Sequence, residues 1–135
     1  MHKGSCLCGQ VEYAVDGPIG PVIMCHCSRC RKAGGSAFAT NGIVASGNFR
    51  FTKGEAGLRD YQLTDGRHRI FCGTCGSAIL SRRDALPEIV RIRMGTLDTP
   101  FEGGPEMHIF VGSKADWETI PDDGLPRHHE RPPAS

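Results

Sequence analysis

Short alternations of apolar and polar residues run along the whole chain. Val11, Tyr13 and Val15 alternate with Glu12, Ala14 and Asp16 before a Gly17-Pro18 break, the period-two pattern of a half-buried strand. Residues 21–25 read as a second extended piece. Ile43-Val44-Ala45 and Asn48-Phe49-Arg50-Phe51 flank Ser46-Gly47 as the arms of a hairpin would. Residues 58–63 lead through Asp65-Gly66, a strong turn dipeptide, into residues 67–71. Further strands are predicted at 78–81, at 107–111 and at 88–94, where Val90, Ile92 and Met94 alternate with Arg91 and Arg93. Helical turns are predicted only over 28–33 and 113–117, and no repeat of fixed period is visible. The pattern predicts an all-β fold.

Length and composition sharpen this picture. A chain of 135 residues is the size of one domain with a modest core, and 18 glycines with 9 prolines favour short strands and turns. From Pro121 onward there are four prolines, several charges and little to bury. The expected organisation is therefore a domain over 1–126 and a flexible tail over 127–135, with His128 and His129 solvated in the tail. A net charge of +1 offers no general basic face, so no nucleic-acid partner is expected. The charged start has no apolar run behind it and nothing approaches a membrane span, so a cytoplasmic protein with no membrane partner is expected.

Seven cysteines are the most informative residues. Disulfides would leave one over, and a reducing compartment would not keep them, so metal binding explains them better. They fall in three clusters: Cys6 and Cys8; Cys25, Cys27 and Cys30; Cys72 and Cys75. Residues two apart on an extended chain face one side, so Cys6 and Cys8 can grip one ion together. Cys72 and Cys75 bracket a Gly-containing turn at zinc-knuckle spacing. Those two pairs supply four thiolates, a closed tetrahedral zinc site. The middle cluster supplies three, which leaves the fourth position of a zinc open, as in catalytic sites. Ser28 is placed to cap a short helix carrying Cys30 in its first turn. Other partitions stay open: His26 as a fourth ligand, a single zinc with three free thiols, or a metal shared between molecules.

At these residues the chain resembles the glutathione-dependent formaldehyde-activating enzyme family, which shares its domain with centromere protein V. The resemblance rests on residues 4–11 around Cys6 and Cys8, residues 25–32 around Cys25, Cys27 and Cys30, and residues 71–77 around Cys72 and Cys75. A late stretch over 105–111, followed by Ser113, Lys114 and Trp117, also fits. The resemblance implies a β-tent fold of small antiparallel sheets organised around zinc. It implies a structural zinc on Cys6, Cys8, Cys72 and Cys75, and a second, catalytic zinc on Cys25, Cys27 and Cys30. The implied activity is carbon–sulfur lyase chemistry, joining glutathione and formaldehyde as S-hydroxymethylglutathione.

An open zinc can hold a substrate thiol as thiolate or polarise an aldehyde oxygen. Both suit reversible addition of a small thiol such as glutathione to a small aldehyde. His26 is a candidate catalytic proton shuttle, with a hydrogen-bonded structural role as the competing reading. His108 reads as a satisfied, partly buried histidine. Phe38 reads as core packing or pocket lining, and Trp117 with Phe110 as core. Arg29, Arg31 and Lys32 place positive charge beside the middle thiols. The competing functional class is a non-catalytic zinc module for binding or scaffolding.

Overall fold

The computed structural model describes residues 1–132 and is mostly β, with small sheets, one α-helix and four single 3₁₀ turns among those residues. The chain divides into two compact units, each assembled from two stretches of sequence. The first takes Met1–Gly20 and Gly42–Glu102; the second takes Pro21–Asn41 and the chain from Gly103 on. No helix among the described residues is long and apolar enough to cross a membrane.

In the first unit, β1 (His2–Ser5), β2 (Glu12–Val15) and β5 (Phe49–Lys53) form one antiparallel sheet in the order β1-β2-β5. A second antiparallel run follows the chain: β6 (Leu58–Gln62), β7 (Arg67–Cys72), β8 (Ala78–Arg83) and β9 (Ile89–Arg93). The Asp65-Gly66 hairpin forms as its sequence predicts, pairing Leu58 with Cys72 and Gln62 with His68. The other expected hairpin does not form. After β4 (Ala39–Ala45), residues Ser46–Asn48 make a 3₁₀ turn and β5 pairs with β2 instead. The Ser46 backbone N–H and hydroxyl are taken by the carbonyls of Glu88 and Pro87, which redirects the chain.

The core of this unit gathers Val11, Tyr13, Val15, Val44, Ile79, Leu80 and Ile92, all buried, around Cys6 and Cys72. Each large aliphatic side chain so buried contributes on the order of 1.5–3 kcal/mol. Tyr13 shows how tightly the strands fit. A Cβ on Gly4 would fall inside the tyrosine ring, within 2.2 Å of its Cζ, so the close approach of β1 to β2 requires glycine. The ring stacks on Phe49, and its hydroxyl donates to Thr96 Oγ1 at 2.6 Å.

In the second unit, β3 (Val22–Cys25) runs parallel to β10 (Met107–Ile109), with His108 beside Met24 and Ile109 beside Cys25. Helix α1 (Ser28–Gly34) follows directly. Its N-cap is Cys27, whose sulfur accepts the Cys30 N–H at 3.3 Å. The expected Ser28 cap is therefore one residue late. The turn expected over 113–117 begins earlier, as a 3₁₀ turn at Val111–Ser113. Trp117, expected in the core, is 70% exposed. Residues 127–130, placed by sequence in a loose tail, hydrogen-bond to the end of β10. Pro126 and His128 pair with His108, and Glu130 with Phe110. The His129 ring packs over Gly112, and the Arg131 guanidinium lies 5.6 Å above the Phe110 ring. The last part of the expected tail, 133–135, lies outside the described residues.

Candidate metal centres

Two groups of thiols converge, and they are the two that the spacing singles out. In the first unit Cys6, Cys8, Cys72 and Cys75 bring their sulfurs within 4.8 Å of one another. Cys6 lies 3.6 Å from Cys8, and Cys8 lies 3.8 Å from Cys72. Four sulfurs at about 2.3 Å from a common tetrahedral centre would lie about 3.8 Å apart, so the spacing fits a metal ion. It is far too long for a disulfide, and all seven cysteines are free.

Local backbone structure sets this geometry. Gly9 N–H donates to Cys6 O and Cys6 N–H to Val11 O, closing a tight loop that presents Cys6 and Cys8 together. On the knuckle, Gly76 sits at φ 79° with its N–H on Cys72 O, a left-handed position that favours glycine. Thr74 donates to the Gln10 side chain at 2.8 Å, tying the knuckle to the loop. The Val11 N–H points at Cys6 Sγ from 3.3 Å. Hydrogen bonds from the Ser77 hydroxyl and backbone pull the Cys75 thiol down to about 5, which favours the thiolate that metal binding needs.

In the second unit Cys25, Cys27 and Cys30 also bring their sulfurs within 4.8 Å. Cys25 ends β3, Cys27 caps α1 and Cys30 lies in the first turn. Cys25 and Cys30 are buried while Cys27 is half-buried. Hydrogen bonds from Cys25 and Cys30 hold the Cys27 thiol down at about 2, and the same contact with Cys27 pushes Cys25 up.

No histidine joins either group among the described residues. His26 is fully buried and has both ring nitrogens engaged. Nδ1 faces Glu118 Oε1 at 2.9 Å, and Nε2 faces His108 Nδ1 at 2.8 Å. His108 Nε2 continues the series to Asp123 Oδ2 at 2.7 Å. That contact is the main reason Asp123 is held below the usual carboxylate range. His26 N–H also donates to Ile109 O, and Phe38 covers its ring at 5.1 Å. Sequence reasoning named His26 and His108 separately. It missed Glu118 and Asp123, which stand 92 and 15 residues from their partners in stretches without apolar periodicity. Of the nearby cations, Arg31 gives one nitrogen to Ser113 O, while its buried Nε has no hydrogen-bond partner among the described residues. Elsewhere in the first unit a cleft of about 350 Å³ is lined by Phe49, Phe51, Ile70 and Leu80 with Asp60 and Arg82, and by no cysteine.

The chain is similar to known proteins. The chain is 26% identical over 115 residues to proteins of Aspergillus flavus and Aspergillus oryzae provisionally named glutathione-dependent formaldehyde-activating enzymes. The match covers 84% of this chain and 54% of each of theirs, so the chain spans about half the length of the curated relatives it matches. A crystal structure of a Rhodobacter sphaeroides protein superposes with a TM-score of 0.63 at 29% identity, covering 74% of this chain and 91% of the other. The family model described as glutathione-dependent formaldehyde-activating enzyme matches residues 1–113 and so takes in both thiol groups. The chain belongs to the glutathione-dependent formaldehyde-activating enzyme family.

Proposed function

We propose that both thiol groups hold zinc, and that the protein joins and parts a small thiol such as glutathione and formaldehyde. Cys6, Cys8, Cys72 and Cys75 form the closed structural site. Cys25, Cys27 and Cys30 form a site with one coordination position left for substrate. The observation that carries this reading is the division of seven converging thiols into four and three, with none left over.

The reaction is an addition. A thiol adds across the formaldehyde C=O; the S–C bond forms, the π pair moves to oxygen, and oxygen takes the proton to give an S-hydroxymethyl thioether. The reverse breaks the same C–S bond, which is the carbon–sulfur lyase sense. Zinc, when bound, lowers the pKa of a thiol it holds and so keeps the nucleophile ready at neutral pH. The chain's own residues do the rest. The Cys27 cap and the first turn of α1 fix three sulfurs around one point. His26, with both nitrogens committed to Glu118 and His108, positions Cys25 and Cys27 rather than carrying a proton to substrate.

Exchange spectroscopy by NMR on glutathione, formaldehyde and their adduct tests this. The protein is expected to speed exchange above the uncatalysed rate, and Cys27→Ser to abolish the excess. The burial of Cys25 and Cys30 supports the second reading, a non-catalytic zinc module. No excess rate with glutathione or other small thiols would decide for that module.

A further inference from the structure

Phe110 is the only non-glycine residue with a positive φ among the described residues, at φ 56° and ψ 36°. For a bulky side chain this left-handed conformation is an outlier, and it persists only where the surroundings over-determine it. Two sets of contacts do so. The first is with the second thiol group: the ring packs against the buried cluster of Cys25, Cys30 and Ile109. Ile109, the residue before it, stands beside Cys25 in the parallel pairing of β10 with β3.

The second set comes from residues 126–131. Three successive amides donate into that segment: Phe110 N–H to Glu130 O at 2.8 Å, Val111 N–H to His128 O at 3.1 Å and Gly112 N–H to His129 O at 3.1 Å. His108 N–H donates to Pro126 O, and His108 O accepts from His128 N–H, each at 2.9 Å. Side chains add to these bonds. The Arg131 guanidinium lies 5.6 Å from the centre of the Phe110 ring. The His129 ring fills the space where a Gly112 Cβ would stand. Phe110 therefore joins the thiol group to the terminal segment through one strained residue. The segment itself is exposed apart from half-buried His128.

We propose that residues 126–131 form a strap that locks Phe110 against the thiol group of Cys25, Cys27 and Cys30 and so sets how freely those sulfurs meet solutes. With the strap docked, the three amides are satisfied and the left-handed turn is maintained. With it undocked, the amides turn to water and Phe110 relaxes to the extended region its side chain favours. Its ring then leaves Cys25 and Cys30. An exposed segment held by a few backbone bonds at a sheet edge belongs to the least stable part of a fold, so it opens without global unfolding. The coupling is reciprocal: whatever orders the three sulfurs favours the docked strap by the same factor. The strap's bearing on catalysis rests on the function proposed above, whereas its hold on the sulfurs does not.

The test is alkylation of the full chain by iodoacetamide, mapped to each cysteine by mass spectrometry, since the rate follows the population of the open form. Arg131→Ala removes one exposed cation–π contact and should raise the rates at Cys25 and Cys30 about 2- to 5-fold. Gly112→Ala expels the His129 ring and should raise them as well. Phe110→Gly removes the ring and the strain together. It should raise the thiol rates while the amides of Val111 and Gly112 stay protected from hydrogen exchange. In that background Arg131→Ala should add nothing further. Gly47→Ala, where a Cβ meets nothing within 4 Å, is the neutral control, and circular dichroism melts establish that each variant is folded. Strap-dependent thiols in a protein that does not speed the exchange of glutathione and formaldehyde would sink the proposed function and uphold the strap. Thiol rates indifferent to Arg131→Ala and Gly112→Ala overturn the strap. So does an equal rise at Cys72, or an undiminished effect of Arg131→Ala in the Phe110→Gly background.

Discussion

His26 and His108 share one hydrogen bond, Nε2 to Nδ1 at 2.8 Å, and each turns its other nitrogen to a carboxylate. Three hydrogen bonds in a row need three hydrogens, and two neutral imidazoles bring two. The series from Glu118 to Asp123 therefore holds one proton more than its neutral rings supply. This predicts an unequal response at Asp123. Asp123→Asn can donate its amide hydrogen to His108 Nε2, so that two neutral rings then satisfy every partner. Asp123→Ala leaves a buried nitrogen unpaired, at about 1–3 kcal/mol. Thermal melts should place the Asn variant nearer the parent than the Ala variant.

The same series predicts an effect on the second thiol group without any change in its sulfurs. His108→Phe keeps the volume but strips the partner from His26 Nε2 and from Asp123. His26 lies between two cysteines of the cluster, so loosening its ring loosens them. Competition with a chromophoric chelator should show zinc lost from this site more readily, by about 10-fold or less, because His26 supports the thiols only through the backbone and the full range of about 10- to 100-fold belongs to direct partners of a ligand. The four-cysteine site should be unaffected.

Metal content is expected to be two zinc ions per chain in freshly purified, reduced protein. Elemental analysis giving one or fewer from metal-replete material would contradict the division into four and three. Mild chelation should remove one ion first, that of the three-cysteine site.

The two sites should differ in what their loss does to the fold. Cys8 and Cys72 are 64 residues apart, so an ion held there closes a long loop. Such binding in zinc-finger peptides has an apparent free energy of about 10–16 kcal/mol, as large as the whole stability of a domain. Cys72→Ser should give unfolded or insoluble protein. Cys27→Ser removes a ligand and a helix cap, together a local loss, and should give soluble protein with one zinc and a cooperative melt. Circular dichroism and zinc content on the two variants decide it; equal unfolding would make the second site structural.

Gly4→Ala puts a methyl group where the Tyr13 ring lies. Displacing a buried tyrosine with its hydrogen bond should cost at least 2–4 kcal/mol, by the range of about 3–5 kcal/mol for deleting a large buried aromatic. Tyr13→Phe, which loses only the bond to Thr96, should cost about 1 kcal/mol. Chemical denaturation of the two variants gives the comparison.

The thiol groups were legible because their chemistry is carried by local spacing, and metal geometry tolerates little variation in it. The Asp65-Gly66 hairpin was legible for the same reason. The pairing of β5 with β2 was not, because Ser46 is claimed by Glu88 and Pro87 from a distant part of the chain. Trp117 misled because size and aromaticity indicate burial only on average. The facing of Arg67 and Arg83 escaped because it exists only in the register: the two are distant in sequence and adjacent across two strands. A charge sum cannot contain that information.

Synthesis order gives the long closure between Cys8 and Cys72 a further meaning. During translation Cys6 and Cys8 emerge first and must wait for more than sixty residues before their partner thiols exist, a delay of several seconds at about 5–20 residues per second. Cys25, Cys27 and Cys30 need no such wait, since they leave the ribosome within six residues of one another. The nascent chain can therefore complete its local thiol group early, whereas Cys6 and Cys8 stand open to oxidation until Cys75 is made.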